Sequence, residues 1–320
     1  MTRILITGGA GFVGSCIADK LIEDKDNYVV ILDDLSTGSV EKLPKASKDN
    51  WRFVKADVNK YSEIAEVMLG SRFDYVFHYA ALVGVKRTQD NPVKVLNDID
   101  GIKNVLNLSK STGVKRVFFS SSSEVYGEPV ELPQHEETTP LNSRVPYAVV
   151  KNIGESFLRS YHKEYGLEYT IFRFFNTYGP KQSKDFVISK FISAALKNED
   201  IVMYGSGDQT RTFCYVDDNV DTCLLAMKND LIVNDVMNVG GESEVKIIDL
   251  AKLIIEMTGS SSKIVFAPAL KEGDMVRRCP DISKMKTILK RDRLPLEKGI
   301  KNLLASELFK QLISSERGAE

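Results

Sequence analysis

Through the first half of the chain, short apolar runs alternate with segments whose apolar residues recur every three or four positions. Arg3–Thr7 is a compact strand candidate, and Gly14–Glu23 follows with helical spacing that places Ile17, Leu21 and Ile22 near one face. Tyr28–Asp33, Arg52–Ala56 and Tyr75–Tyr79 read as the next three strands. A longer helical pattern over Val93–Ser111 carries Val95, Ile99, Ile102, Val105, Leu106 and Leu108. Val117–Ser121 is a fifth strand, Pro146–Tyr165 a helix with Pro in its first turn, and Tyr169–Phe174 a sixth strand. Strands that alternate with helices predict an α/β fold, a doubly wound parallel sheet covered on both faces.

After about residue 177 the rhythm loosens. Turn-rich clusters (Y-G-P, Y-G-S-G-D-Q, V-G-G-E) separate short strands such as Ile201–Tyr204 from helices such as Val220–Met227 and Ile248–Met257. The pattern predicts a nucleotide-binding domain over 1–176 and a smaller lobe made mainly of 177–320. Thr212–Val220 still reads as strand then helix, so about 212–227 is expected to return to the first domain.

Composition narrows the class. A chain of 320 residues with a formal net charge of −1 lacks the basic excess that a sequence-independent nucleic-acid binder needs. No apolar run approaches the roughly 18 residues needed to cross a bilayer, so no membrane partner is expected. The start, M-T-R-I-L-I-T-G-G, has too short an apolar stretch for a secretory signal. Cys16, Cys214, Cys223 and Cys279 show neither C-x-x-C pairing nor a neighbouring histidine. Reduced thiols, no metal site and a cytoplasmic location are the expectation.

Gly8, Gly11 and Gly14 form G-x-x-G-x-x-G directly between a strand and a helix, with Phe12 and Val13 inside the motif. Glycine there allows a tight turn and lets backbone approach a pyrophosphate at the positive end of the helix. The plain alternative is a strand-to-helix turn and nothing more. Asp33 closes the second strand, where a carboxylate can accept from a ribose 2′-hydroxyl and repel a 2′-phosphate, which favours NAD over NADP. Asp57, with Val58 beside it, follows the third strand where the adenine would lie.

Tyr147 and Lys151 are four apart on a predicted helix and share a face. A phenol is a poor base at neutral pH unless a nearby positive charge stabilises its phenolate, and Lys151 with an oxidised nicotinamide would provide one. Most Y-x-x-x-K pairs are ordinary helix surface. Here the serine run Ser120–Ser123, then Glu124, ends the fifth strand at the edge where open α/β sheets bind ligands. Ser122 is the serine placed to bond the reacting oxygen; Ser120 and Ser121 are read first as loop serines satisfying their own backbone.

These residues resemble the extended short-chain dehydrogenase/reductase superfamily, in its nucleotide-sugar epimerase/dehydratase/decarboxylase group. The likeness runs through G-G-A-G-F-V-G, S-S-S-E-V-Y-G, Y-A-V-V-K, R-F-F-N-T-Y-G-P, Y-G-S-G-D-Q-T-R-T-F-C-Y-V-D-D and R-R-C-P-D-I, almost the whole chain. It implies a Rossmann domain holding NAD, a small C-terminal α/β lobe for a nucleotide sugar, UDP-linked by preference, and a homodimer through a helix bundle. It also implies that Ser122, Tyr147 and Lys151 are the catalytic serine, tyrosine and lysine. Asn176 and Arg211 resemble residues that hold the substrate diphosphate, and Arg278 a further arginine near it. An arginine fork suits phosphate oxygens, whereas Arg277, adjacent to Arg278, reads as surface charge.

Members of that group share oxidation of the sugar at carbon 4. Ser123-Glu124 then separates branches, because a glutamate beside carbons 5 and 6 can act as general acid or base. Ser-Glu, T-R-T-F-C-Y-V-D-D and R-R-C-P-D resemble the UDP-glucuronate decarboxylase branch. H-Y-A-A-L-V-G-V-K-R lacks the A-S-P turn of typical decarboxylases and looks more like the 4-epimerases. Decarboxylation is the expected reaction, 4-epimerisation the alternative and 4,6-dehydration third. A non-catalytic NAD-binding protein is the reading from a different class.

Overall fold

A computed structural model of the chain describes residues 1–47, 49–268 and 277–314. Its centre is a seven-stranded, wholly parallel sheet. Six strands are β1 (Thr2–Thr7), β2 (Asn27–Asp33), β3 (Trp51–Lys55), β4 (Tyr75–His78), β5 (Arg116–Ser122) and β6 (Glu168–Phe174). Past them come β7 (Thr177–Tyr178), β8 (Ile201–Tyr204), β9 (Thr210–Thr212) and β10 (Cys214–Tyr215), before β11 (Asp235–Val239) completes the sheet. The order is β11-β6-β5-β4-β1-β2-β3, so the chain reverses its direction of travel between β1 and β4. A crevice opens at the carboxyl ends of such a pair, and ligands lie there in sheets of this kind.

Strand periodicity explains the two cores. Ile4 and Ile6 of β1, with Val29, Ile31, Phe77, Phe118 and Phe172, face one side of the sheet; Leu5, Val30, Leu32, Val76, Val117 and Phe119 face the other. The first side packs under α1 (Phe12–Leu21) and, from the later chain, α8 (Val216–Lys228). The second lies under α2 (Tyr61–Leu69), α5 (Asp98–Thr112) and α6 (Pro146–Tyr165). Burial on both faces is why the strands read as near-continuous apolar runs. Across β4 and β5, Phe77 and Phe118 stack with ring centroids 4.6 Å apart.

The structure departs from the sequence reading in two places. The helix expected over 93–111 is interrupted: α3 (Val85–Asp90) and α4 (Pro92–Leu96) precede Asn97, and α5 restarts at Asp98. Asp98 turns its carboxylate to the Leu82 amide (2.7 Å), and Asp98 and Asp100 stand in the first turn, where the helix dipole favours negative charge. The second departure is β11. The sheet does not end with β6 near residue 176, nor do its later contributions stop at 227, because Asp235–Val239 pairs in parallel with Thr170–Phe174. That strand includes a polar residue, Asn238, which is fully buried and hydrogen-bonded.

The remaining strands form small sheets. β7 pairs with β10, β8 with β13 (Ile264–Ala267), and β9 lies between β12 (Glu244–Lys246) and β14 (Arg277–Arg278). Helices α7 (Val187–Leu196), α9 (Ile247–Thr258), α10 (Ser283–Leu289), α11 (Leu296–Ala305) and α12 (Glu307–Ser314) complete the described chain. All four cysteines are unpaired. Among the described residues, no helix is long and apolar enough to cross a membrane.

Candidate active site

A cavity of about 470 Å³ occupies the crevice above β1, β4 and β5. Its floor at one end is the turn from β1 into α1. Gly8 has φ +68°, and a Cβ there would lie 2.6 Å from the backbone nitrogen of Ala80, which follows β4. A Cβ on Gly14 would lie 2.6 Å from the Gly8 carbonyl oxygen. Only glycine lets these backbones approach so closely, and the α1 N-terminus then faces the cavity with no side-chain cap.

Gly8, Gly11, Phe12, Val13 and Gly14 line this end, with Asp33, Asp57 and Val58 further along the same wall. Asp33 is held rigidly: Oδ2 accepts from the Ala10 amide (3.0 Å) and Oδ1 from Leu35 (2.8 Å). Burial raises its pKa, and these two backbone donors work against the rise. Asp57 accepts from the Asn59 amide through Oδ1 (2.9 Å). A cradle that a Cβ would fill, an uncapped helix start and a fixed strand-end carboxylate fit a dinucleotide: Gly8–Gly14 would hold the pyrophosphate and Asp33 the ribose.

The other end gathers the polar residues. Ser122 ends β5, and Ser123 and Glu124 begin a short 3-10 turn there. The Ser122 Oγ accepts from the Glu124 amide (3.2 Å), and its hydroxyl also hydrogen-bonds Tyr147. Tyr147 and Lys151 lie one turn apart on α6 and line the cavity beside Ser122, Ser123 and Glu124. Lys151 is 3% exposed and donates to Ser120 Oγ (3.4 Å), its Nζ 5.7 Å from the Tyr147 ring centroid.

Burial pushes the Tyr147 phenol well above its usual range; Glu124 pushes the same way, while the Ser122 hydrogen bond and, more weakly, Arg278 pull it down. Lys151 is not among the main influences on the phenol in the absence of the nicotinamide. Burial brings Lys151 down to about 8, against the opposing pull of Asp98.

Of the substrate-side candidates, Asn176 and Arg278 line the cavity and Arg211 does not. The Asn176 amide donates to the Thr212 carbonyl (3.0 Å). Arg211 lies on β9 in register with Arg278 on β14, and its Nη1 donates to the Thr210 carbonyl (2.8 Å). Arg278 is 6% exposed and stands at the catalytic end, Nη1 3.7 Å from Glu124 Oε1. Arg277 is exposed and ion-paired to Glu244.

Sequence reasoning missed Asp98, which lines the cavity and acts on both Lys151 and Tyr147. Its one local signal is an acid in the first turn of a helix. The segment H-Y-A-A-L-V-G, read from the sequence as epimerase-like, supplies the cavity wall from Ala80 to Gly84, whose side chains are apolar throughout.

Comparison with known proteins agrees with this geometry. The model of the NAD dependent epimerase/dehydratase family matches residues 4–240. The chain belongs to that family. NAD is therefore its cofactor, and the dinucleotide end described above is where this epimerase/dehydratase family member would hold it. UDP-glucuronic acid decarboxylase 3 of Arabidopsis thaliana is 37% identical over 297 residues, covering 90% of this chain and 83% of that protein. UDP-N-acetyl-alpha-D-glucosaminuronate decarboxylase of Bacillus cytotoxicus is 35% identical over 318 residues, covering 94% and 96%. Among solved structures, UDP-glucose 4-epimerase of Thermotoga maritima with UDP-glucose superposes with a TM-score of 0.89 at 34% identity, covering 97% of this chain and 99% of that one.

Proposed function

We propose that this family member converts a UDP-linked uronic acid by oxidation at carbon 4, loss of the carboxylate as carbon dioxide, and return of the hydride, with UDP-glucuronate as the substrate. The observation that carries the reading is the pair of charges beside Tyr147. Glu124 and Arg278 face each other at 3.7 Å on the wall that also holds the phenol. Bound in its oxidised form, NAD supplies a hydride acceptor and a positive ring. Tyr147 takes the proton of the carbon-4 hydroxyl, with Ser122 bonded to the same oxygen and Lys151 providing the nearby ammonium. The ketone at carbon 4 then makes the carbon-5 carboxylate a β-keto acid. Its C5–C6 bond breaks, carbon dioxide leaves, and the electron pair stays on carbon 5 as an enolate. Arg278 steadies the carboxylate before it leaves, and Glu124, after taking up a proton from solvent, passes it to carbon 5. Asn176 and, from the adjoining strand, Arg211 serve the diphosphate.

Two observations favour 4-epimerisation as the second reading. The Ala80–Gly84 wall offers no polar side chain to grip a rotating keto-sugar, and the overlapping Thermotoga maritima structure is named a 4-epimerase. We also propose a homodimer through the outer face of α6.

Incubation with UDP-glucuronate, UDP-glucose and UDP-N-acetylglucosamine, read by mass spectrometry, tests the choice. The expected product is UDP-glucuronate less carbon dioxide, and Glu124→Gln should slow it about 10²-fold or more. An isomer of unchanged mass, formed equally well by Glu124→Gln, would overturn decarboxylation in favour of epimerisation.

A further inference from the structure

A continuous buried hydrogen-bond route links the three pieces of the site. It begins next to Ser122, where Ser121 Oγ donates to Glu155 Oε1 (2.7 Å). Glu155 stands on α6 one turn beyond Lys151, and receives Arg173 as a two-pronged pair, Nε to Oε1 at 2.9 Å and Nη2 to Oε2 at 2.7 Å. Arg173 Nη1 donates to the Tyr126 hydroxyl (2.9 Å), which donates to Asn238 Oδ1 (2.7 Å). The Asn238 amide nitrogen donates onward to the carbonyls of Gln134 (2.9 Å) and Asp281 (3.1 Å). Gln134 closes the route: its amide donates to the Cys279 carbonyl (2.7 Å) and its carbonyl accepts from Asp281 (2.8 Å). The segment immediately after Arg278 is thus held from two sides.

Every side chain along this route, from Ser121 to Asn238, is at most 2% exposed. A buried ion pair is a poor source of stability, since desolvation offsets most of its attraction and apolar packing would serve as well. Hydrogen bonds have direction, however, and Arg278 has need of it. Its strand β14 is two residues long and pairs only with β9 among the described residues.

We propose that Tyr126 and Asn238 are positioning residues, which set Arg278 against Glu124 and keep that pair in register with Tyr147 and Lys151. The proposal rests on the reading of Glu124 and Arg278 given above. Tyr126→Phe removes one oxygen and leaves the ring beside Phe175, whose centroid is 6.1 Å away. It should cut the loss of carbon dioxide about tenfold with NAD content unchanged, as expected for a catalytic group displaced by a fraction of an ångström.

A double-mutant cycle separates positioning from general damage. If Tyr126 acts through Arg278, adding Tyr126→Phe to Arg278→Ala costs nothing further; multiplied losses in the double variant overturn the proposal. Amide hydrogen exchange is the second measurement and needs no turnover. In Tyr126→Phe, and in Asn238→Ala where it folds, the Gln134 and Asp281 amides should exchange at least tenfold faster while those of β1 and β2 are unchanged. Equal exchange at 134 and 281 overturns the route. Should the parent chain prove inert towards UDP-sugars, the functional reading fails and the exchange data still judge the network.

Discussion

Lys151 keeps a charge in surroundings that oppose it. Burial has brought its ammonium down to about 8, and Asp98 is the carboxylate that holds it from falling further. Asp98 also raises the Tyr147 phenol. Removing that negative charge lowers both groups, the lysine because its cation loses a partner and the phenol because its anion loses a repelling neighbour. Asp98→Asn should therefore carry the whole pH–rate profile to lower pH, because both groups titrate lower once that charge is gone. A profile of kcat/KM against pH that stays in place would sink this assignment. At this scale the sequence was legible wherever chemistry demands residue types at a fixed local spacing, as with Gly8, Gly11 and Gly14 or with Tyr147 and Lys151. Asp98 was not, because its importance comes from a lysine 53 positions away that only the fold brings near. Arg277 and Arg278 were told apart, the first as surface charge and the second as a site residue, but through the resemblance and not through local spacing. Their difference in burial follows from which face of β14 each occupies, and two adjacent letters carry little of that.

Elements meet at the site through backbone more than through side chains. The turn after β1 and the start of the segment after β4 approach so closely at Gly8 that a Cβ would strike Ala80, and φ there is +68°. Gly8→Ala should cost about 1–2 kcal/mol for the left-handed conformation alone, before the contact with Ala80 is counted. The expected result is a lower Tm together with reduced NAD content in the purified protein. A variant with unchanged Tm and full NAD would show that the two elements can part without harm. The strands of the sheet's middle were readable because burial on both faces makes them apolar throughout. Two features escaped that reading for physical reasons. The α4–α5 break is the single residue Asn97, whose backbone is itself near helical (φ −64°, ψ −21°), too slight an interruption for the apolar spacing to show. β11 looks too polar to be a core strand, and Asn238 is affordable there only because Tyr126, Gln134 and Asp281 satisfy it.

At the scale of the molecule, α6 is the element through which the rest of the structure reaches the chemistry. Its inner face, with Lys151, Gly154, Glu155 and Leu158, is buried against the sheet; a Cβ on Gly154 would lie 2.4 Å from the Phe119 ring. Its outer side carries Val149, Ile153, Phe157 and Tyr161 at every fourth position, all half-buried, and then Tyr165, 48% exposed. A stripe of five apolar or aromatic residues along one helix is more than a solvated face needs. A second copy of the chain laid against it would press on the helix that carries Tyr147 and Lys151, so association and turnover should be linked. Light scattering is expected to find a dimer at micromolar concentration, and Phe157→Asp to convert it to a folded monomer with lower kcat. Because Phe157 also packs at the margin of its own chain's core, far-ultraviolet circular dichroism must show the monomer folded for the kcat to count. A parent chain that is monomeric and fully active would remove the dimer and leave α6 positioned by the sheet alone.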